Sequence, residues 1–380
     1  MDSINSNFIY LDYNATTPVD ERVLNEMLPF FRTEYANSSG AHLFSLTIQD
    51  AMDQASEDIA DRLGTEAKNI IFTSGATESI NLVLKGFQFS SRKHIISIST
   101  EHRAVLDSCA FMERLGFEVS YLKVDPQGML DLRLLKESIR EDTLLICTML
   151  VNNETGIILP IKQISEIAHQ GNAFVLCDAT QAVGKMDISL QHLDVDFMAF
   201  SAHKFYGPKG IGGLYIASRV KEHLIPQIHG GGQQQGWRSG TVNTAGIIGM
   251  AAALRIALKD LTIDQSRVEQ LRDDLESELL TIPDTFINGS KTHRLFNTTN
   301  IRFTGVLSEQ LITRLGTISV SSGSACSAVT SRPSHVLKAM GLSDLDALSS
   351  IRFSLGRFTR EVEISQTIMR IKQLVEKLRT

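Results

Sequence analysis

Asp196-Phe-Met-Ala-Phe-Ser-Ala-His-Lys-Phe-Tyr-Gly-Pro-Lys-Gly, residues 196–210, passes from a short apolar run directly into a polar turn built of small residues. A run such as Phe197–Phe200, apolar at every position, predicts a strand buried on both faces, as in a parallel sheet covered by helices. Lys204 then falls just past the carboxyl end of that strand, the edge of an open α/β sheet where ligands bind. A lysine amine held there by small and polar neighbours can form a Schiff base.

Working outward, Ile70–Phe72, His94–Ile98, Phe117–Leu122, Leu144–Val151 and Ala173–Cys177 read as further strands. Amphipathic patterns separate most of them, at Arg103–Leu115, Leu132–Arg140 and Ile161–His169. This alternation predicts an α/β fold with a mainly parallel sheet and helices on both faces. Beyond the glycine run at 230–232, the pattern predicts an Ala-rich helix from about 245 to 258 and a charged one from 264 to 280. The remainder alternates strand and helix signals and ends in a helix from about 363 to 378. We read residues 16–264 as a large domain, and residues 1–15 with 265–380 as a smaller one. The triple glycine lacks the G-x-G-x-x-G spacing after a first strand, so it does not signal a dinucleotide site.

Composition narrows the function. The 380 residues are 43% hydrophobic and 21% charged, as in an ordinary soluble globular protein, and are enough for more than one core. A net charge of −6 argues against direct binding of nucleic acid. No basic-then-apolar leader opens the chain and no stretch is long enough to span a bilayer, so no membrane association is expected. The four cysteines, 109, 147, 177 and 326, show neither paired nor metal-ligand spacing. We therefore expect no metal, no disulfide framework and a reducing cytoplasm.

Three cysteines, Cys109, Cys147 and Cys177, sit within or beside apolar patterns and read as small core hydrophobes. Cys326 differs. It lies in Ser321-Ser-Gly-Ser-Ala-Cys-Ser-Ala-Val-Thr-Ser331, where almost nothing calls for burial, so it is expected to be exposed on a loop and able to react.

Polar clusters follow the predicted strands. Ser74-Gly-Ala-Thr-Glu78 combines a glycine turn with a helix start, whose free N–H groups suit a phosphate, although alone it reads more readily as an ordinary helix cap. Glu101-His-Arg103, Asn152-Asn-Glu154, Asp178-Ala-Thr-Gln181 and Ser201-Ala-His-Lys204 follow four other strands. Each could be turn chemistry; all five at one sheet edge are hard to explain that way. A lysine amine, a phosphate-binding helix start and an aspartate suit pyridoxal phosphate, whose pyridinium nitrogen needs an acidic partner. Asp178 would supply it, with His102 stacked on the ring and Gln181 at its phenolic oxygen.

Thr73–Glu78, Thr100-Glu-His102, Val151-Asn-Asn-Glu-Thr-Gly156, Asp178–Gly184, Ser201–Gly210, Arg238-Ser-Gly-Thr241, Ser321–Cys326 and Ile351-Arg-Phe-Ser-Leu-Gly356 together resemble the motifs of NifS/IscS-type cysteine desulfurases. These are pyridoxal-phosphate enzymes of the class V aminotransferase group. The resemblance starts at Leu11-Asp-Tyr-Asn-Ala-Thr-Thr17 and runs almost to the end of the chain. It implies the fold type I of pyridoxal-phosphate transferases, with a mainly parallel seven-stranded sheet in the large domain and a smaller α+β domain carrying the cysteine loop.

Carried over by position, it implies Lys204 as the Schiff-base lysine, Asp178 and Gln181 as ring contacts, and His102 as stacking residue and possible proton carrier. Ala76, Thr77, Ser201 and His203 would hold the phosphate, with Thr241 reaching in from the second subunit of a homodimer. Asn153 and Arg352 would bind the carboxylate of L-cysteine, a task that suits a planar guanidinium. Cys326 would take the sulfur as a persulfide, releasing L-alanine, and pass it to a protein acceptor or scaffold. Iron–sulfur assembly, tRNA thiolation and DNA phosphorothioation through a partner all remain open as destinations. The alternative is another class V enzyme, an aminotransferase or a selenocysteine lyase.

Some positions depart from the family pattern. Asn37-Ser-Ser-Gly40 lacks the family's usual proline, and Gly232-Gln-Gln-Gln-Gly-Trp237 replaces its charged residues. The chain stops soon after its last helix, where housekeeping members carry a scaffold-binding tail.

Overall fold

A computed structural model describes residues 8–323 and 332–380. Twelve strands are formed among them: β1 (Ile9–Tyr10), β2 (Ile70–Thr73), β3 (His94–Ile98), β4 (Glu118–Leu122), β5 (Thr143–Met149), β6 (Phe174–Asp178), β7 (Phe197–Ser201), β8 (Gly212–Ile216), β9 (Thr285–Ile287), β10 (Thr298–Phe303), β11 (Ile318–Ser319) and β12 (Ser350–Ser354). β2 to β8 make one seven-stranded sheet in the order β2-β8-β7-β6-β5-β3-β4. All neighbouring pairs from β7 through β6, β5 and β3 to β4 are parallel, and β8 runs antiparallel to both β2 and β7.

The apolar runs explain the layers. Every residue of β3, β5 and β7 is buried, whereas the edge strand β4 is mostly exposed or half-buried. Strands without alternation need cover on both faces, and the crossover helices Arg103–Arg114, Leu132–Ser138 and Ile161–Gln170 lie between successive strands. The strand order reverses direction between β3 and β5. The polar loops after those two strands therefore part at a switch point, leaving a crevice at their carboxyl ends.

One strand was not visible in the apolar pattern. β8 contains Gly212-Gly213, and glycine in a strand interior usually argues against one. Here neighbours occupy the space of a side chain. A Cβ on Gly212 would lie 2.5 Å from the Cα of Gly75, and one on Gly213 would enter the Phe200 ring. β8 is thus shaped to let the turn at Gly75 sit against the sheet.

The two helices expected around 245–258 and 264–280 are one continuous helix, Thr244–Leu279. No glycine or proline lies between 250 and 280 to stop it. Asp260 and Asp264 on this helix face Arg22 and Arg357, which ties the joining stretch down. The division expected at 264/265 falls inside this helix. A three-stranded antiparallel sheet, β12-β10-β9, and the parallel pair β1-β11 make up the rest. The chain's start belongs with them: Ile9 pairs with Ile318, and Asp12 bridges Ser354. From there residues 13–17 cross to the large sheet, where the Thr17 N–H donates to the His203 carbonyl oxygen at 3.0 Å.

Gly212→Ala is expected to destabilise the protein by about 1–3 kcal/mol in denaturant unfolding, because its methyl group must displace backbone rather than a mobile side chain. An unchanged midpoint would refute the close-approach explanation.

Candidate active site

The loops after β2, β3, β5, β6 and β7 open into a cavity of about 970 Å³. Ten of the residues expected from sequence line it. Ala76 and Thr77 come from the helix start, His102 from the loop after β3, and Asn153 from that after β5. Asp178 ends β6 and Gln181 follows it, Ser201 ends β7 with His203 and Lys204 after it, and Arg352 enters from β12. Thr241 is exposed and does not line this cavity. Cys326 lies outside the described residues, but Ser321 and Gly323 before it and Arg332 after it all form part of the cavity wall.

Among the described residues, Lys204 is held by carbonyl oxygens alone. Its Nζ donates to the carbonyls of Asn14 at 2.8 Å and Ala15 at 2.7 Å. Burial, then the positive charge of Arg352, lowers its pKa to about 8, with Asp178 and Asp12 opposing. A lysine so tuned is available as a free amine near neutral pH. Arg352 donates to the Asn153 carbonyl oxygen at 2.8 Å and to Asp12 Oδ1 at 2.5 Å. Asp12 thus belongs to the site, although nothing in its local sequence distinguishes it from a loop carboxylate.

Asp178 is 6% exposed, and its Oδ1 accepts from the Thr180 backbone N–H at 2.9 Å. His102 caps the helix Arg103–Arg114, its Nδ1 accepting from the Ala104 N–H at 3.1 Å. That bond assigns the neutral ring's hydrogen to Nε2. Crowding by the surrounding protein, only partly offset by Asp178, lowers the His102 pKa, which favours this neutral form. His203 is pushed lower, to about 4, by burial and then by Lys204, and contacts Thr16 Oγ1 at 3.0 Å.

The phosphate-type corner sits at the start of the helix Ala76–Gly86. Its N-cap, Gly75, offers no side chain, and Ser201 Oγ accepts from the Ala76 N–H at 2.7 Å. Glu78 accepts from the Ser74 N–H at 2.8 Å and pairs with Arg238 at 2.9 Å, connecting this turn to the segment that carries Thr241.

The donor set fits pyridoxal phosphate: a near-neutral amine, a buried carboxylate, a neutral imidazole and a helix start lacking a side-chain cap share one cavity. Three buried polar atoms of lining residues, Asn153 Oδ1, Thr180 Oγ1 and Arg352 Nε, have no partner among the described residues. Such atoms in a cavity wall are normally satisfied by a ligand or water. Among the described residues no cluster of three or more His, Cys, Asp or Glu could hold a metal ion. The thiols of Cys109, Cys147 and Cys177 are wholly buried. Cys147, through its contact with Cys109 and burial, and Cys177, through burial, are pushed well above the usual thiol range, so both are inert.

Because Arg352 helps hold the Lys204 amine below its ordinary value, Arg352→Gln should raise that pKa above about 8. The measurement is the pH dependence of Lys204 acetylation in cofactor-free protein, read by peptide mass spectrometry. A profile that stays put or moves to lower pH would contradict the geometry.

Residues 9–367 match the family described as Aminotransferase class-V. The chain is similar to the cysteine desulfurase IscS of Methylobacillus flagellatus, with 46% identity over 376 residues, 98% of this chain and 93% of that protein. Among solved structures it resembles a NifS-like protein, with 38% identity and a TM-score of 0.92, covering 97% of this chain and 100% of that one. It also resembles SspA in complex with cysteine, with 36% identity and a TM-score of 0.81 over 93% of this chain and all of that one. Matching in sequence over nearly its whole length and in the arrangement of its sheet, this chain belongs to the class-V aminotransferase family and, within it, to the cysteine desulfurases.

Proposed function

We propose that this cysteine desulfurase uses pyridoxal phosphate held on Lys204 and passes the sulfur of L-cysteine to Cys326. The observation that carries the reading is the single cavity in which Lys204, Asp178, His102 and Arg352 meet, walled by residues on either side of Cys326 in the chain. Relatives named as cysteine desulfurases at 46% identity favour it over another class V activity.

The cofactor, when bound, supplies an aldehyde for imine formation and a conjugated ring that accepts electron pairs. Asp178 would hold a proton on the ring nitrogen, and Gln181 would donate to the phenolic oxygen. The backbone of Ala76 and Thr77, with Ser201 and His203, would hold the phosphate, joined by Thr241 of the partner subunit in a homodimer. His102 would cover the ring face. Asn153 and Arg352 would hold the substrate carboxylate, Arg352 turning part of its fork away from Asp12 to do so.

With the substrate carboxylate so held, Lys204 takes the α-proton as a free base and returns it as an acid, for which a pKa near 8 is well matched. Cys326, as thiolate, attacks the substrate sulfur. The new S–S bond forms as the substrate C–S bond breaks, its electron pair stays with the β-carbon, and that carbon is then protonated. The balance is L-cysteine plus enzyme thiol giving L-alanine plus enzyme persulfide.

A protein thiol acceptor would receive the sulfur next, for iron–sulfur assembly or another thiolation. Residues 16–264 would form the large cofactor domain, with 1–15 and 265–380 forming the small one. No helix among the described residues is long and apolar enough to cross a membrane.

Incubated with L-cysteine and a reductant, wild-type protein should release equal amounts of alanine and sulfide, and Cys326→Ser should release neither above background. Undiminished release by that variant would exclude Cys326 as the sulfur acceptor. Lys204→Ala should lose both turnover and the visible absorbance of the bound cofactor; normal absorbance would exclude Lys204 as its anchor.

A further inference from the structure

Behind the cavity wall lies a lysine that the mechanism above does not use. Lys185 is 6% exposed and does not line the cavity, whereas Gln181, four residues earlier in the same turn and 4% exposed, does. Lys185 Nζ donates to Gln181 Oε1 at 2.8 Å, and Gln181 Nε2 donates to the Asn14 carbonyl oxygen at 2.8 Å. Among the described residues Lys185 forms no ion pair, so its amine is spent on this one carboxamide. A buried amine without a carboxylate is a costly way to fill space.

The orientation of the carboxamide follows from which groups can donate. An ammonium only donates and a backbone carbonyl only accepts, so the amide oxygen must face Lys185 and the nitrogen must face Asn14. One N–H of Gln181 remains for the cavity. Asn14 O also accepts from Lys204 Nζ, so the amide and the anchoring lysine meet at one carbonyl. The turn carrying Lys185 is itself constrained: Gly184 has a φ of 75°, and a Cβ there would lie 2.5 Å from the Phe205 side chain.

We propose that Lys185 is a positioning residue that fixes the Gln181 carboxamide with its N–H, rather than its oxygen, presented to the cofactor's phenolic oxygen. The inference rests on the reading of Gln181 as that oxygen's contact. Without Lys185 the amide oxygen loses its partner and can rotate toward the Lys204 amine, placing an acceptor where a donor is needed. Burial, then the charges of Lys204 and Arg352, brings the Lys185 amine down to about 7. In its neutral form it still has N–H groups to donate, so the orientation does not require the charge.

The test compares Lys185→Met, Gln181→Leu and the double variant, each reconstituted with pyridoxal phosphate. The readings are the visible absorption maximum and the pH midpoint of its change, taken without substrate. Lys185→Met should move the midpoint in the same direction as Gln181→Leu, by about one pH unit, and the double variant should match Gln181→Leu alone. An unchanged spectrum in Lys185→Met, or a shift that adds in full to that of Gln181→Leu, overturns the inference and leaves the cofactor reading standing. An unchanged spectrum in Gln181→Leu overturns both. Thermal unfolding of the cofactor-free proteins checks the fold, and Lys185→Leu takes the place of a methionine variant that does not fold.

Discussion

The Lys204 amine is held between two backbone carbonyls, those of Asn14 and Ala15, with no carboxylate among the described residues in hydrogen-bonding contact. A carboxylate partner would have fixed the proton on it, whereas carbonyl dipoles orient the amine and leave its charge easily lost. Burial and Arg352 then supply the remaining push toward the free base. The chemistry of a Schiff-base lysine that also moves a proton depends on this arrangement. So does the path of the chain: residues 13–17 must leave the β1-β11 pair and cross to the end of β7 to bring those carbonyls into place.

The sheet edge imposes the second constraint. The turn at Gly75 lies close against β8 because Gly212 has no side chain there, while Gly213 leaves room for the Phe200 ring. Ser201, the last residue of β7, reaches the helix start from the other side through the Ala76 N–H. The phosphate corner and the lysine therefore rest on one strand end. Asp12 adds a third link, steadying Arg352 from the chain's first strand region and joining the small antiparallel sheet to the cavity.

The sequence carried much of this openly. Six strands showed in the hydrophobic pattern, several as short apolar runs, and the polar clusters that followed five of the sheet's strands fell at the cavity because a parallel sheet aligns its carboxyl ends. β8 was hidden because its glycines answer to the neighbouring ring and backbone rather than to strand preference. The long helix Thr244–Leu279 was read as two, since its burial pattern changes midway while its backbone does not. Asp12, Asn14 and Lys185 escaped notice for a different reason. Asn14 acts through its carbonyl, which any residue could supply. Asp12 and Lys185 gain meaning only from Arg352 and Gln181, and Lys185 alone reads as a surface charge. Thr241 was legible only through family resemblance, since it stands away from this chain's own cavity, whereas Cys326 was marked as a reactive thiol by the small residues around it in sequence.

The central claim is that one chain holds an amine that activates cysteine and a thiol that receives its sulfur. Peptide mass spectrometry after brief incubation with L-cysteine, under alkylation without reductant, tests it most directly. The account predicts the mass of one added sulfur atom on the peptide containing Cys326, absent when Lys204 is replaced by Ala. Added sulfur on Cys109, Cys147 or Cys177 instead, or on Cys326 irrespective of Lys204, would contradict it.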